Sequence, residues 1–500
     1  MRFAVPLAAV FFAVATSAMG ASPQPAPSLE ALLAKSRVAS GAPYRYHIVS
    51  RSHEVRDGQT LDVTTETQGL KFRATSCLRA LCTGFYFDGD RSYEANDNDT
   101  ILPVSSSVDG LQLTLRAIAS YAFTDPDFRR DGGTLIERDP LIRNGTAYRR
   151  ISIAPRLGAL LDAVIDPATG LVRGVISEER KYVFEFTDQR KVDDRVTLPF
   201  AVSLNGDSLT QYGERSIVDT PLEAPRGVVP DLSAAGTAVP MQQGDTGRPV
   251  VPCTIGDQPA SCLLDTGDSG LAISLELAEK LNLEPIPGSY DVHGIGQYVT
   301  GVVVAPPLHV GSATYPSAKY VVLHDLARYG YDVILGADAF AHARVTLDFA
   351  RREVRLDPSA APRGGQSIAF DGFVPVMAVG LDDLDALLQL DTGDDAAVDL
   401  SGDYYGRHPE LFTATGAASV SGLGGSAEAT SGTISRVRFA GFELERQPIV
   451  ATKGLSFDGH IGSGLLQHFV VTFDYQDGLA SFVPRPGDVS VKPASAGNGT

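Results

Sequence analysis

Two copies of the tripeptide Asp-Thr-Gly, at residues 265–267 and 391–393, carry the side chains of this sequence best suited to acid–base chemistry. In each copy the aspartate follows an apolar run, and a glycine after an apolar residue comes 71 residues later, at Gly336 and Gly462 (336 − 265 and 462 − 391). Two carboxyl groups held about 3 Å apart cannot both ionise, so they share one proton and their pKa values separate. Such a pair can activate a bound water with one carboxylate while the other donates a proton to a substrate carbonyl.

The two tripeptides belong to a longer repeat with an offset of 126 residues (391 − 265). The same offset maps Thr346 onto Thr472 and Asp348 onto Asp474. One tripeptide alone would be weak evidence, whereas two with the same downstream landmarks indicate a duplicated lobe. A duplicated lobe can bring its two aspartates face to face.

The segments around the tripeptides must place each aspartate at the end of a strand. We expect two lobes, residues 248–358 (lobe 1) and 366–484 (lobe 2), joined by residues 360–365. Each lobe should contain two strands, the Asp-Thr-Gly turn, a further hairpin and a strand that closes with the apolar-Gly motif. The glycine of the turn permits close approach of a second backbone. The threonine hydroxyl can donate a hydrogen bond across a pseudo-twofold axis.

These motifs resemble those of the aspartic proteases, and most closely the retroviral-type (retropepsin) lobe. The motifs follow one another in the same order at residues 265–267, 294–296, 334–336 and 346–349 in lobe 1, and at 391–393, 422–425, 461–462 and 472–475 in lobe 2. The resemblance covers about half of the chain. It implies a mainly β fold in which two closed β lobes are related by pseudo-twofold symmetry. Both halves of the site would lie in one chain, as in pepsin-like enzymes.

The resemblance also implies a role for each motif residue in peptide hydrolysis. The catalytic dyad would be Asp265 and Asp391, supported by Thr266, Gly267, Thr392 and Gly393. The mobile flaps over an extended polypeptide substrate would be formed by Gly294, Ile295 and Gly296 in lobe 1 and by Gly422, Leu423, Gly424 and Gly425 in lobe 2. The family's reaction requires no metal ion, no other cofactor and no covalent intermediate.

The sequence departs from the family at the residues that follow each motif. Asp268 and Asp394 stand after the two Asp-Thr-Gly turns, where the family usually has alanine or serine. Extra carboxylates beside a dyad raise its apparent pKa unless they face solvent or find hydrogen-bond donors. After the apolar-Gly motifs, Ala337 and Ser463 stand where the retroviral pattern has an arginine. A covalent link between the lobes could make that contact between subunits unnecessary.

The N-terminus predicts export. A basic start, an apolar run over residues 3–15 and small residues up to Ala21 are typical of a secretory signal peptide, residues 1–21. The run is shorter than the roughly 20 apolar residues needed to span a bilayer, and no later segment is long enough to be a transmembrane segment. We therefore expect a periplasmic or secreted protein, cleaved near residue 21.

The amino-acid composition disfavours several classes of binding partner. A net charge of −18 disfavours nucleic acid and anionic membranes, because neither attracts an acidic surface. The nine histidines lack His-x-x-x-His spacing, so we expect no catalytic metal. Residues 88–99 are rich in Asp and Asn; they lack the EF-hand spacing, so a solvated turn is favoured over a calcium site.

The four cysteines form two pairs that are close in sequence, Cys77–Cys82 and Cys253–Cys262, and we expect both to be disulfides in an oxidising compartment. If Asp257 and Gln258 form a two-residue hairpin loop, Cys253 lies directly opposite Cys262 at about 4.5 Å between Cα atoms. The alternative is a pair of buried free thiols.

The rest of the chain predicts a separate β-rich domain at residues 28–218. It should begin with a helix over residues 28–39, with Ser28 as N-cap, followed by strands separated by turns. The pattern resembles the curved half-barrels of bacterial lipoprotein-carrier and outer-membrane sorting proteins. Residues 219–247, rich in proline, predict a linker, and residues 485–500 predict a disordered tail.

Two functions from different classes fit these features. The first is an exported aspartic endopeptidase that acts as a monomer with an internal pseudo-dimer. The second is a non-catalytic protein that binds peptides or lipoproteins on a duplicated protease-like scaffold.

Overall fold

A computed structural model describes residues 27–56, 58–103, 110–233, 236, 238–242, 247–358, 365–455 and 457–494. The predicted signal peptide lies outside these ranges. The prediction of a mainly β chain is confirmed. None of the helices in the described ranges has both the length and the apolar character needed to cross a bilayer.

The N-terminal domain is a single antiparallel sheet of 13 strands in the order β6-β5-β4-β3-β2-β1-β13-β12-β11-β10-β9-β8-β7. Its strands are β1 His47–Arg56, β2 Gln59–Gln68, β3 Lys71–Leu78, β4 Leu81–Phe87, β5 Ser92–Ala95, β6 Ile101–Pro103, β7 Thr134–Arg143, β8 Thr146–Ala154, β9 Leu161–Ile165, β10 Val172–Ser177, β11 Tyr182–Val192, β12 Val196–Leu204 and β13 Asp207–Val218. The helices are α1 Leu29–Ser40 and α2 Gly110–Ala119. The half-barrel shape stays a prediction.

The predicted N-terminal helix is confirmed with its cap. Helix α1 starts after Ser28, whose side chain accepts a hydrogen bond from the Ala31 amide at 3.3 Å. It ends at Gly41, where φ of 73° suits glycine. Leu32 of α1 and Ile118 of α2 are fully buried in one core with residues of the sheet. Burial of this apolar face holds both helices against the strands.

Lobe 1 is built on an eight-stranded sheet in the order β20-β23-β17-β24-β16-β15-β21-β22. The strands of this part of the chain are β14 Val239–Pro240, β15 Val250–Ile255, β16 Gln258–Leu264, β17 Leu271–Ser274, β18 Tyr290–His293, β19 Gln297–Thr300, β20 Val302–Ala305, β21 Leu308–Val310, β22 Ala313–Tyr315, β23 Ala318–Leu323, β24 Val333–Leu335, β25 Ala343–Asp348 and β26 Glu353–Pro358. The helices are α3 Leu275–Lys280 and α4 Ala337–Phe340.

Lobe 2 is built on a nine-stranded sheet in the order β28-β29-β30-β35-β31-β34-β33-β32, with β38 also paired to β34. Its strands are β27 Gln366–Ser367, β28 Ala369–Asp371, β29 Val374–Leu381, β30 Leu384–Asp391, β31 Val398–Ser401, β32 Thr413–Gly422, β33 Gly425–Phe439, β34 Phe442–Thr452, β35 Gly459–Gly462, β36 Phe469–Asp474, β37 Leu479–Pro484 and β38 Val491–Pro493. The helices are α5 Gly402–Arg407 and α6 Ser463–Leu466. Single 3₁₀ turns lie at Pro43–Arg45, Ala122–Thr124, Leu326–Tyr329 and Pro409–Leu411.

A six-stranded sheet in the order β14-β26-β25-β36-β37-β27 joins the two lobes. At its centre β25 and β36 pair antiparallel with Thr346 opposite Thr472, and the two hydroxyl oxygens lie 3.0 Å apart. These threonines are 126 residues apart, so the same position of the repeat meets itself across the junction. One hydrophobic core runs through both lobes and includes Phe340 and Phe473.

Two segments are more ordered than the sequence predicts. Within the predicted disordered tail, β38 pairs with β34, so that prediction is wrong for Val491–Pro493. Within the predicted linker, β14 pairs with β26, and Val228 is buried in the core of the lobes. Prolines confine these segments to the edges of sheets, where their missing amide hydrogens cost little.

Both cysteine pairs form disulfides, with Cα–Cα distances of 4.0 Å for Cys77–Cys82 and 5.9 Å for Cys253–Cys262. The predicted register of the second hairpin is wrong. Cys253 lies opposite Ala260, and the two-residue loop is formed by Gly256 and Asp257. The loop shifts because Gly256, at φ 55°, takes the left-handed position that favours glycine. The disulfide therefore joins diagonal neighbours, which lie within bonding range.

Candidate active site

Asp265 and Asp391 meet at the junction of the lobes. Asp265 follows the last residue of β16, and Asp391 is the last residue of β30. Their carboxyl groups are hydrogen-bonded to each other. A Cβ atom on Gly267 would lie 2.5 Å from Cγ of Asp391, and one on Gly393 would lie 2.5 Å from Cγ of Asp265. Only glycine at both turns lets the carboxyl groups approach so closely.

The two threonines of the turns form a reciprocal network beneath the aspartates. The Thr266 amide donates to Thr392 Oγ1 at 3.0 Å, and the Thr392 amide donates to Thr266 Oγ1 at 3.0 Å. The Thr266 hydroxyl donates to the Leu390 carbonyl at 2.6 Å, and the Thr392 hydroxyl to the Leu264 carbonyl at 2.7 Å. Both threonines are fully buried. These four bonds tie each turn to the strand that ends at the opposite aspartate.

The carboxyl groups differ in their surroundings. Asp265 Oδ1 accepts from the Gly267 amide at 2.8 Å, whereas Asp391 Oδ1 accepts from the amides of Gly393 at 2.8 Å and Asp394 at 3.1 Å. Burial, followed by the charges of Asp391 and Asp268, raises the pKa of Asp265 well above its usual value. One proton on this pair is therefore retained to higher pH than on a free aspartic acid.

The extra aspartates after each turn line the same cavity. Asp268 Oδ1 accepts from the Gly270 amide, and Asp394 Oδ1 accepts from the Ala396 amide, each at 2.9 Å. Burial, with the charges of Asp338 and Asp391, raises the pKa of Asp268 to about 6. Burial and then the charge of Asp391 raise the pKa of Asp394 to about 6. Both carboxyl groups therefore titrate close to neutral pH beside the pair.

The apolar-Gly motifs contact the backbone of the residues that follow the Asp-Thr-Gly turns. The Gly336 amide donates to the Gly270 carbonyl at 2.9 Å, and a Cβ at position 336 would collide with the carbonyls of Asp268 and Gly270. In lobe 2 both the amide and the hydroxyl of Ser463 donate to the Asp394 carbonyl at 2.7 Å. At the positions where the retroviral pattern has arginine, Ala337 donates its amide to the Asp268 carbonyl at 2.9 Å, and Ser463 donates both its amide and its hydroxyl to the Asp394 carbonyl.

Two glycine-rich hairpin tips lie over the pair. Residues 294–296 connect β18 to β19, and residues 423–424 connect β32 to β33. The Gly296 amide donates to the Leu423 carbonyl at 3.1 Å, and the hydroxyl of Tyr329 donates to the Gly422 carbonyl at 2.7 Å. A Cβ on Gly296 would collide with the Gly424 carbonyl. The structure thus brings the predicted flap residues of both lobes into contact with each other.

The tips and the aspartate pair enclose a cavity of about 710 Å³. Its lining is strongly acidic: the carboxyl-bearing residues are Asp97, Asp265, Asp268, Asp291, Asp338, Asp391, Asp394, Asp395 and Asp399, against only Arg248 and Lys319 as always-basic residues. A cavity of this size can hold several residues of a peptide.

The N-terminal domain contributes one wall of this cavity, through Thr83 and residues 96–98. The side chain of Asn96 donates to Asp338 Oδ1 at 3.1 Å, and that of Asn98 donates to Asp338 Oδ2 at 2.9 Å. The Thr100 hydroxyl also donates to Asp338, which is fully buried in α4. Lys319 adds a bond from Nζ to the Asp97 carbonyl at 2.9 Å.

Residues 96–100 therefore form a docking loop that contacts lobe 1. The sequence instead predicts a solvated turn for residues 88–99, in preference to a calcium site. Its asparagines donate to a partner far along the chain, and spacing within the loop could not indicate this. The part of the chain that the structure describes contains no group of three His, Cys, Asp or Glu side chains arranged to hold a metal ion.

His460 is a further residue of the site, and the sequence motifs do not single it out. It lies in β35, next to the second apolar-Gly motif, and its Nδ1 is 3.6 Å from Asp391 Oδ2 and 4.0 Å from Asp394 Oδ2. Its position two residues before Gly462 could have indicated that it lies near the aspartate pair, because this strand pairs with the one that carries Asp391.

One comparison with known proteins covers part of lobe 1. A family model described as aspartyl protease matches residues 251–339, which include Asp265 and exclude Asp391. No curated protein matches the chain. Among solved structures, a retropepsin-like aspartic protease from Rickettsia conorii matches at 17% identity and a TM-score of 0.19, covering 24% of this chain and 98% of that one. The family match supports an aspartyl protease domain in lobe 1.

Proposed function

We propose that this protein is an exported aspartic endopeptidase with a single catalytic pair, Asp265 and Asp391, formed by two retropepsin-like lobes of one chain. The observation that carries this proposal is the direct contact of the two carboxyl groups above the reciprocal bonds of Thr266 and Thr392. Residues 126 apart bond to each other here and again at Thr346 and Thr472, as expected for two lobes related by a pseudo-twofold axis.

The surroundings of the pair suggest how the proton is distributed. Asp265 has the raised pKa and accepts a single amide hydrogen bond, so it carries the shared proton. Asp391 accepts two amide hydrogen bonds, which favour its ionised form. Asp391 then removes a proton from a water as that water adds to the peptide carbonyl, and Asp265 donates its proton to the carbonyl oxygen. Collapse of the tetrahedral intermediate, with proton transfer to the leaving nitrogen, breaks the peptide bond.

The enclosure of the pair fits a polypeptide substrate in extended conformation. The flap tips, residues 294–296 and 422–425, meet over the cavity, so they must separate to admit a chain and then close to exclude bulk solvent while the reacting water stays bound. Two disulfides agree with an oxidising compartment, and we extend the proposal to a periplasmic or secreted monomer.

Substitution of either aspartate tests the proposal. Asp265→Asn and Asp391→Asn should each lower kcat/KM on a mixed peptide library by at least about 10³-fold, because the pair loses its acid or its base. Both variants should keep the circular dichroism spectrum of the wild type. Asp257→Asn, in the exposed hairpin loop of lobe 1, is the matched control and should cleave like the wild type.

Two results would contradict this function. Full activity in Asp391→Asn would mean that lobe 2 is not catalytic and that two copies of lobe 1 form the site. Absence of cleavage by the uninhibited wild type from about pH 3 to about pH 8 would favour the non-catalytic binding protein.

A further inference from the structure

Strand pairing identifies equivalent positions in the two lobes beside the catalytic pair. In lobe 1, Ile334 of β24 lies between Leu263 of β16 and Ala272 of β17. All three are at most 1% exposed, and they form one apolar cluster with Leu323. Ala272, Leu323 and Ile334 line the cavity. The wall of the cavity on this side is therefore aliphatic.

In lobe 2 the same three positions are polar. His460 of β35 lies between Gln389 of β30 and Asp399 of β31. These pairings are equivalent to those that Ile334 makes with its two neighbouring strands in lobe 1. His460, Gln389 and Asp399 all line the cavity. The residue equivalent to Leu323 by pairing is Thr452. The two halves of the cavity thus share a backbone and differ in chemistry.

Asp399 lacks a full set of protein partners although it is only 3% exposed. Its Oδ2 accepts from the Thr452 hydroxyl at 2.9 Å, while its Oδ1 accepts no hydrogen bond from the residues that the structure describes. Oδ2 of Asp394 is likewise buried without a donor within those residues. A buried carboxylate oxygen without a donor is costly. Since both groups line a cavity, a ligand could supply the missing donors.

The charge of this pocket favours a cation. One imidazole, His460, lies near three carboxyl groups: its Nδ1 is 3.6 Å from Asp391 and 4.0 Å from Asp394, and Asp399 is its cross-strand partner. Even a protonated His460 would not balance three ionised carboxylates. A cation that enters the pocket would also stabilise their ionised forms. Ammonium and guanidinium groups bring several hydrogen-bond donors together with the charge.

We propose that Gln389, Asp399 and His460 form a subsite of lobe 2 for a lysine or arginine side chain of the substrate, at a position next to the scissile bond. The equivalent subsite of lobe 1 takes an aliphatic or aromatic side chain. This inference rests on the proposed peptidase function and adds a substrate class to it: polypeptides with a basic residue on one side of the cleaved bond and an apolar residue on the other.

Peptides that differ at one position test the subsite. In a cleaved reference peptide, each residue flanking the scissile bond is replaced in turn by lysine, arginine, norleucine, leucine or glutamate. At one flanking position the wild type should cleave the lysine peptide with a kcat/KM about 10- to 100-fold above that of norleucine, which has a similar chain without the charge. At the other position the norleucine peptide should be preferred.

Variants of Asp399 assign the preference to this pocket. Asp399→Asn removes the charge with little change of shape, and Asp399→Ala supplies the residue that lobe 1 has at the equivalent position. In both variants the ratio of kcat/KM for lysine to norleucine should fall to within about threefold of one. Asp403→Asn is the matched control, because it is exposed four residues further along, and it should keep the wild-type ratio.

The outcomes separate the subsite from the function. Cleavage by the wild type without a preference for lysine or arginine at either position would overturn the subsite and leave the peptidase function standing. The subsite would also be overturned, and the function left standing, if a folded Asp399→Asn variant kept the wild-type ratio. Failure of the wild type to cleave any peptide would overturn the peptidase function, and the subsite with it.

Discussion

Three carboxyl groups that line the cavity, those of Asp265, Asp268 and Asp394, have raised pKa values. Burial is the largest cause of each raised pKa, and it brings Asp268 and Asp394 to about 6. The pKa of Asp265 is raised further by the charges of Asp391 and Asp268. A free aspartic acid loses its proton near pH 4. Asp268, which departs from the family's pattern, therefore extends the pH range over which the pair holds one proton.

This coupling predicts a change in pH dependence for Asp268→Asn. Under the proposed mechanism, activity is lost on the alkaline side when the pair gives up its shared proton. Because the charge of Asp268 raises the pKa of Asp265, its removal should lower that pKa and move the alkaline limb of the kcat/KM profile to lower pH. The profile of Asp257→Asn should coincide with that of the wild type. A limb that stays in place, or moves to higher pH, would show that Asp268 does not act on the pair through its charge.

The docking loop, residues 96–100, is the element that makes the N-terminal domain part of the site. Its side chains donate to both oxygens of Asp338, which lies in α4 directly after the apolar-Gly motif that holds the lobe 1 turn. Burial raises the pKa of Asp338, while the bonds from Thr100, Asn98 and Asn96 oppose that effect. One buried carboxyl group therefore joins this wall of the cavity to the helix that follows the apolar-Gly motif of lobe 1.

Asp338→Ala should destabilise the protein by about 3 kcal/mol, because it removes the acceptor of the Thr100 hydroxyl and one of the two acceptors of each of the Asn96 and Asn98 side-chain amides. Activity should fall too, since residues 96–98 line the cavity. Urea denaturation followed by circular dichroism measures the stability, with Asp257→Ala on the lobe 1 surface expected within about 0.5 kcal/mol of the wild type. Equal stability of the two variants would mean that the docking loop contributes little to the fold.

Elements with a local signal could be predicted from the sequence, and those that depend on distant partners could not. The repeat of the Asp-Thr-Gly and apolar-Gly motifs located both strand ends of the site, and Ser28 located the start of α1. The predicted register of the Cys253 hairpin is wrong because alternation of side chains tolerates a shift of two residues. The role of the docking loop depends on Asp338, 238 residues beyond Thr100, and no local pattern connects them.

At the scale of the whole molecule, the lobes are joined more tightly than two docked subunits would be. They share the six-stranded sheet through the pairing of β25 with β36, and one continuous core. The cross-lobe bonds of Thr266 and Thr392 lie within a single chain. Under the proposed function such a site needs no second copy, in agreement with Ala337 and Ser463, which stand where the retroviral pattern has an arginine.

Mixing inactive variants tests whether one chain holds a complete site. Asp265→Asn and Asp391→Asn each carry one intact aspartate, and in a monomer neither chain can supply the other's missing carboxyl group. An equimolar mixture, unfolded and refolded together, should therefore stay as inactive as its components. If lobe 1 of one chain instead faced lobe 2 of another, about a quarter of the lobe pairings would combine two intact aspartates and restore activity. Wild type mixed with either variant is the control, and its activity should fall only in proportion to the wild-type share. Activity recovered in the double-variant mixture would show that the catalytic pair is assembled between chains.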